Sequence, residues 1–171
     1  MIEISTPVEN KEISNLKVGD IIEITGSILC GRDAVLPQIV KMIEDGSICN
    51  LGIDLKGQVV FHTAVSPAGV GPTSSNKLEI EGSIEPLSKA GVKIHLGKGE
   101  IGKDTIAALN RYDSIYAVIP PVTALLNDRM SEKQVVAFPE LGMEAFHMIK
   151  VEKIPTVIAV AHGRSIYDEK L

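Results

Sequence analysis

Residues 93–112 have the sequence KIHLGKGEIGKDTIAALNRY. The apolar run at the start of this stretch predicts a strand, and the apolar residues after its glycines recur at helical spacing. Between the two, Gly97, Gly99 and Gly102 have the spacing G-x-G-x-x-G. A strand, a glycine turn and a helix in this order are typical of α/β folds, in which ligands bind beyond the carboxyl ends of the strands.

The sequence lacks the other residues that a nucleotide-binding turn requires. An acidic residue about 20 positions further on, at the end of the next strand, should bind the ribose. The next predicted strand ends in Pro120 and Pro121, whereas Asp113 lies before it, and Gly99 stands where a Walker motif needs Ser or Thr. We therefore expect the turn and the helix start to bind a different anion through backbone N–H groups, with Lys98 adding a positive charge. A tight turn beside a solvated lysine is the simpler alternative.

The segments on both sides of this stretch also alternate between strand and helix patterns. Apolar, β-branched runs predict strands over DIIEITGSIL (20–29), GQVVFHTAV (57–65), SIYAVI (114–119), KQVVAF (133–138) and PTVIAVA (155–161), the last two separated by GMEAFHMIKV (142–151). Helical spacing predicts helices over DAVLPQIVKMIEDG (33–46), IEPLSKAG (84–91) and PPVTALLNDRM (120–130). In the first helix, Asp33 has the place of an N-cap and Gly46 that of a stop. We expect a single, layered α/β domain over residues 1–171, with a mixed sheet.

The composition excludes several classes of function. The net charge of -5 and the aromatic share of 4% argue against nucleic acid binding, which needs a basic face and stacking side chains. No apolar stretch reaches the length of a membrane span and the N-terminal segment lacks a secretory pattern, so we expect a cytoplasmic protein. Cys30 and Cys49 cannot form a four-thiolate metal site. We expect both thiols to be buried and this chain to bind no metal by itself.

Polar residues that suit an anionic ligand follow three of the predicted strands. Arg32 ends the first strand, Thr73 lies in the Gly-, Pro- and hydroxyl-rich loop 66–77, and Lys98 lies in the glycine turn. A guanidinium, an ammonium and short hydroxyl side chains can bind carboxylate or phosphate oxygens. The alternatives are a surface ion pair of Arg32 with Asp33 or another acid, and an ordinary turn around Thr73.

The histidines offer no set of ligands at a recognisable spacing. His62, His95, His147 and His162 each lie within or beside an apolar run, so we expect them to be structural. His62 and His162 are the better functional candidates because both lie next to predicted strand ends.

Four segments in this order resemble one family. GSILCGRDA, GPTSSNK, LGKG and FPELGMEAFHMIKVEKIPTVIAV are similar to the β part of class I fumarate hydratases and L(+)-tartrate dehydratases, over about Gly19 to Tyr167. The resemblance implies a swivelling β/β/α domain. It also implies a partner α subunit with three cysteines that hold a 4Fe–4S cluster, whose open iron acts on the substrate as a Lewis acid. The chain is then the β subunit of a hetero-oligomer.

The same resemblance implies roles for individual residues. Arg32, Thr73 and Lys98 would bind the carboxylates of the substrate, and Thr73 would also take part in proton transfer. The chain departs from the family pattern at Leu36, where a histidine is usual. It departs also at Lys77, which replaces a substrate-binding arginine and keeps the charge without the bidentate fork.

The reaction that the resemblance implies is the reversible hydration of a small dicarboxylate, with fumarate and malate as the first choice. L(+)-tartrate dehydration is the alternative substrate assignment. A non-catalytic anion-binding or regulatory module of the same fold is a further alternative, and a nucleotide-dependent oxidoreductase is disfavoured by the missing acidic residue.

Overall fold

A computed structural model describes residues 1–66, 70, 77–119 and 127–168. The described residues form eight strands in one sheet, together with four α-helices. The strands are β1 (Ile2–Ser5), β2 (Ile21–Gly31), β3 (Val59–His62), β4 (Ile94–Gly97), β5 (Ile115–Val118), β6 (Met130–Ala137), β7 (Phe146–Ala161) and β8 (Arg164–Ser165). The helices are α1 (Asn10–Ser14), α2 (Leu36–Asp45), α3 (Lys77–Lys89) and α4 (Lys103–Arg111). Short 3₁₀ turns span Ser47–Leu51, Pro139–Glu144 and Ile166–Asp168.

The sheet is mixed, as predicted from the sequence. Strands β1 to β5 pair as parallel neighbours in chain order. Strand β7 runs antiparallel to them, and it pairs with β5 on one side and with β2 on the other. The pairings therefore close into a ring, β2–β3–β4–β5–β7, while β1, β6 and β8 lie outside it.

The length of β7 makes this closure feasible. Its first half pairs with β6 and with the end of β2, and its second half pairs with the start of β2 and with β5. An irregularity in the β2–β7 register separates the two halves, next to Lys153, which has a φ of 49°. The Lys153 N–H donates to the Thr25 hydroxyl over 3.0 Å, which holds the two strands together at this bend.

The strands separate an interior core from a layer of helices. Alternate residues of β2, such as Ile28 and Cys30, pack in the interior with Phe61 and Ile149, whereas Leu29 packs on the other face against α2 and α3. This alternation is the period of two that a strand buried on both faces requires. The central strands β3, β4 and β5 therefore have helices on one face only.

Several local predictions are confirmed and others are wrong. Gly46 ends α2 with a φ of 81°, a conformation that glycine adopts at little cost. Asp33 is not the N-cap, because α2 begins at Leu36 with Val35 at that position. The Arg32 carbonyl accepts hydrogen bonds from the N–H groups of Val35 and Leu36, so a turn precedes the helix.

Two further predictions are wrong, and one segment without a predicted structure is part of a strand. Helix α3 begins at Lys77, whereas the sequence placed the helix at residues 84–91 and Lys77 in the loop. The segment between the last two predicted strands is itself the first half of β7, from Phe146 onward. Cys30 is buried as expected, but Cys49 is exposed on a 3₁₀ turn, so the prediction for this thiol is wrong. Of the predicted helix 120–130, residues 120–126 lie outside the described ranges.

Membrane insertion by a helix has no support in the described ranges. None of the helices there is both long and apolar enough to cross a bilayer.

Candidate active site at the carboxyl ends of the parallel strands

Strands β2, β3 and β4 run in parallel, so their carboxyl ends lie at one edge of the sheet. Arg32 directly follows β2 and Lys98 directly follows β4, so the structure places both predicted cations at this edge. Thr73, in the loop after β3, lies outside the described residues. Lys77 is the first residue of α3, and its side chain lies outside the described part of the structure.

Arg32 faces an acidic residue that the sequence did not single out. Its Nε atom lies 3.8 Å from Oε2 of Glu144, and both side chains are under one-third exposed. The Glu144 carboxylate also accepts a hydrogen bond from the Ala34 N–H over 3.3 Å. Arg32 therefore forms the ion pair that was the alternative interpretation of this residue, and its partner is Glu144. At 3.8 Å the pair is too long for a hydrogen bond, so the guanidinium keeps donors available for a ligand.

The pairing of β7 with β2 brings Glu144 to this position. Cys30 lies opposite His147 in the antiparallel register, so the residues just before β7 lie beside those just after β2. Glu144 ends the 3₁₀ turn Pro139–Glu144, which contains Gly142 with a φ of 60°. The signal in the sequence was the segment PELGMEA, which the family resemblance used without assigning a role to its glutamate.

The glycine turn after β4 is held by a tyrosine of the next strand. The Tyr116 hydroxyl donates to the Gly99 carbonyl over 3.1 Å, and Gly99 has a φ of 86°. A Cβ on Gly97 would lie 2.9 Å from the same hydroxyl oxygen. Lys98 between them is exposed and makes no ion pair with any described residue. The turn therefore presents a positive charge on a fixed backbone.

The start of α4 is occupied by a carboxylate of the protein itself. Glu81 of α3 accepts hydrogen bonds from the Gly102 N–H and, over 3.0 Å, from the Thr105 hydroxyl. The anion-binding character predicted for this helix start is real, because the N-terminus of a helix attracts negative charge. The Gly102 N–H therefore has Glu81 as its partner. Binding of an external anion by the glycine turn and Lys98 stays a prediction.

Two histidines on the helix-covered face form a buried chain with a serine. Nε2 of His62 lies 3.0 Å from Nδ1 of His95, whose Nε2 lies 2.8 Å from the Ser88 hydroxyl. Burial lowers the pKa of His62 from 6.5 to about 4. Burial, and secondly the neighbouring His62, hold the pKa of His95 well below 6.5. Both imidazoles are therefore neutral at physiological pH.

The other two histidines have separate backbone partners. Nδ1 of His147 lies 2.8 Å from the Ala145 carbonyl, which makes this histidine part of the turn into β7. Nε2 of His162 lies 2.8 Å from the Leu16 carbonyl, beyond the far end of β7. Because β7 is antiparallel to β2, His162 lies at the opposite edge of the sheet from Arg32. The structure does not bring it together with the predicted site residues.

The described residues do not fit an iron–sulfur cluster. Among them, no three side chains of His, Cys, Asp or Glu come together as metal ligands. Cys30 is buried in the interior core, where burial raises the pKa of its thiol, and Cys49 is exposed elsewhere. The described residues therefore supply no set of ligands that could hold such a cluster.

Comparison with known proteins identifies the family. A family model described as Fumarase C-terminus matches residues 1–170. The chain belongs to the Fumarase C-terminus family. Arg32 and Lys98 are thus the strand-end cations of a member of this family, and the resemblance inferred from the sequence motifs is confirmed.

The relatives of this Fumarase C-terminus chain include separate subunits and a longer protein. The L(+)-tartrate dehydratase subunit beta of Escherichia coli (strain K12) is 25% identical over 97% of this chain and 86% of its own length. A Methanocaldococcus jannaschii protein named "Putative L(+)-tartrate dehydratase subunit beta" is 29% identical over 93% of this chain and 87% of its own length. A Geobacillus stearothermophilus protein named "Putative fumarate hydratase class I" is 28% identical over 99% of this chain, which spans only 34% of that relative.

We predict that Gly97→Ala destabilises the protein by about 1–3 kcal/mol, because the added methyl group would meet the buried Tyr116 ring. Gly99→Ala is the matched control in the same turn. No atom lies within 4 Å of its added Cβ, so its cost of about 1–2 kcal/mol comes from the positive φ alone. Urea unfolding measures both, and Tyr116→Phe should reduce the cost of Gly97→Ala but not that of Gly99→Ala. Equal effects of Tyr116→Phe on the two variants would contradict this account.

We also predict a loss of stability in mild acid that involves His62. Its pKa is about 4 in the folded protein and 6.5 when unfolded, so the unfolded chain binds more protons below pH 6.5. The contribution of His62 to the free energy of unfolding should be fully present above pH 6.5. Between pH 6.5 and about pH 4 it should fall by about 1.4 kcal/mol per pH unit. Urea unfolding at pH 7, 6 and 5 should show a shallower fall for His62→Gln than for the wild type. An identical slope would show that His62 is not buried in its neutral form.

Proposed function

We propose that this chain is the β subunit of an iron–sulfur-dependent hydro-lyase that adds water to, or removes it from, a small dicarboxylate. The observation that carries the proposal is the placement of Arg32 and Lys98 at the same edge of the sheet, each directly after a parallel strand. Two cations at one edge suit a ligand with two carboxylates. The names of the relatives support the reaction class.

Each site residue has a proposed task in this reaction. Arg32 binds one carboxylate of the substrate through the planar guanidinium, and Lys98 binds the other as a point charge. Thr73 contacts the substrate and takes part in proton transfer, and Lys77 adds a further positive charge to the same loop. The roles of Thr73 and Lys77 rest on the motif GPTSSNK, since Thr73 and the Lys77 side chain lie outside the described structure.

We propose that a separate α subunit carries the 4Fe–4S cluster and completes the site. The cluster would supply a Lewis acid for the hydroxyl oxygen of the substrate. The longer relative supports a two-part enzyme, since this chain matches only 34% of it, whereas the tartrate dehydratase relatives are named as beta subunits.

The surface next to Arg32 has the character of a docking face. Val135 and Met143 are 44% and 52% exposed, although both are large apolar side chains. They line a shared pocket with Lys133 and His147, and Met143 directly precedes Glu144. An exposed apolar surface beside a polar site is typical of an interface that excludes water when the partner binds. We propose that the α subunit covers this surface.

Fumarate and malate are the first choice of substrate, and L(+)-tartrate is the second. The tartrate alternative is favoured by the relatives that align over most of their own length, which are tartrate dehydratase subunits. A non-catalytic anion-binding module of the same fold is the remaining alternative. We further propose that residues 1–171 form one swivelling β/β/α domain and that the enzyme is a cytoplasmic hetero-oligomer.

Assembly is the first test of this proposal. The chain purified alone should show no hydratase activity, and mixing it with its cognate α subunit at micromolar concentration should give one complex in size-exclusion chromatography. Val135→Lys and Met143→Glu should weaken this complex, because each places a charge in an apolar interface. Ile21→Lys is the matched control, since Ile21 is 49% exposed and lies at the start of β2, at the opposite edge. Turnover by the isolated chain, or equal effects of all three substitutions, would argue against the docking face.

Substrate binding is the second test. In the assembled enzyme, Arg32→Ala and Lys98→Ala should each lower kcat/KM for the preferred dicarboxylate by about 10- to 150-fold, the effect of one charge-assisted contact. Lys41→Ala is the control, because Lys41 is an exposed lysine in the middle of α2. Parallel assays with fumarate, malate and L(+)-tartrate identify the substrate. Unchanged kcat/KM in both site variants would refute the assignment of these cations.

A further inference from the structure

Two buried polar atoms at neighbouring strand ends lack a hydrogen-bond partner. Among the described residues, Nε of Arg32 and Nδ1 of His62 are both buried and make no hydrogen bond. Arg32 follows β2, and His62 is the last residue of β3. Buried polar atoms are nearly always satisfied in folded proteins, so each exception needs an explanation, and a catalytic or ligand-binding role is one of those known. Their location at one edge therefore points to a shared role.

The strand register places His62 between the two predicted cations. Gly31 of β2 pairs with His62, and Arg32 is the next residue. On the other side, Phe61 pairs with Leu96 of β4. Because these strands are parallel, the next residues along them, His62 and Gly97, lie side by side. Lys98 follows Gly97. Both neighbours of His62 in this row are glycines. Among the three positions Gly31, His62 and Gly97, the imidazole is therefore the one side chain, and it lies one residue before each cation.

The hydrogen bonds of His62 leave one of its ring nitrogens for a ligand. Nε2 is paired with His95, and both ring nitrogens of His95 are in turn used, one by His62 and one by Ser88. A neutral imidazole carries a single N–H, so Nδ1 donates when Nε2 accepts from His95 and accepts when Nε2 donates to it. Both arrangements keep the chain to Ser88 intact. Nδ1 can thus offer either a donor or an acceptor.

We propose that His62 is a further residue of the substrate site, and that its Nδ1 hydrogen-bonds the uncharged oxygen of a hydroxy-dicarboxylate. The inference rests on the proposed function, in which Arg32 and Lys98 bind the two carboxylates. A neutral imidazole provides no charge for a carboxylate, and a hydroxyl group needs a partner that can donate or accept. The imidazole is 1% exposed, so bulk water does not compete for this contact.

Two substitutions separate the two ring nitrogens. His62→Gln places an amide where Nε2 lies and removes Nδ1, whereas His62→Asn places an amide where Nδ1 lies and removes the link to His95. In the assembled enzyme, calorimetry should compare malate, which has a hydroxyl group, with succinate, which has none. His62→Gln should weaken malate binding by about tenfold, the effect of one hydrogen bond, and leave succinate binding unchanged. His62→Asn should affect malate less than His62→Gln does.

The outcomes distinguish this inference from the proposed function. A wild-type complex that bound neither dicarboxylate would refute the proposed function, and this inference with it. Binding of both ligands by the wild type, with no selective loss of malate in His62→Gln, would refute only the role of His62. Thermal unfolding checks that each variant folds. If His62→Gln does not fold, ¹⁵N NMR of the wild-type imidazole replaces it: malate should shift the Nδ1 resonance of His62 and succinate should not, and equal shifts would overturn the inference.

Discussion

The pairing of β7 with both β2 and β5 is the constraint on which the rest of the structure depends. Strands β2 to β5 are parallel neighbours. By themselves they would form an open sheet in which the outer sides of β2 and β5 had no hydrogen-bonded partner along their length. Strand β7 covers both edges at once and closes the pairings into a ring. Its first residue, Phe146, packs against the α2 side, and the turn before it carries Glu144 to Arg32. The same strand therefore encloses the interior core and completes the candidate site.

The distribution of charge at the strand ends follows from which acids are already bound. Glu81 is held by the start of α4, and Glu144 is shared between the Ala34 N–H and Arg32. These two carboxylates accept hydrogen bonds from the N–H groups of Gly102 and Ala34. Lys98, in contrast, makes no ion pair within the described residues. An acidic chain with a net charge of -5 thus has an exposed positive charge, Lys98, at the edge of the sheet where the parallel strands end.

The sequence predicted what depends on local pattern and missed what depends on tertiary contacts. The main strands, the glycine turn and the mixed sheet follow from periodicity and β-branched runs. The prediction of Asp33 as the N-cap was wrong because a turn precedes the helix. In this turn the Arg32 carbonyl accepts hydrogen bonds from Val35 and Leu36, so α2 begins only at Leu36. The carboxylate of Glu81 at α4, the ion pair of Glu144 and the contact between His62 and His95 join residues far apart in the chain. Spacing along a sequence carries no signal for such contacts. The family motifs drew attention to the segments after β2 and β4 and before β7, yet without side-chain geometry they did not identify these partners.

The long β2–β7 pairing also affects how the chain folds as it is synthesised. Strand β2 is made before its antiparallel partner β7, and four other strands lie between them in the chain. Until then, one edge of β2 has no partner, and an unpaired strand edge can pair with other chains. Contacts between such distant segments slow folding, because the intervening loop must first be closed at a cost in entropy. The strand that completes the sheet thus leaves one edge of β2 exposed to other chains until β7 has been synthesised.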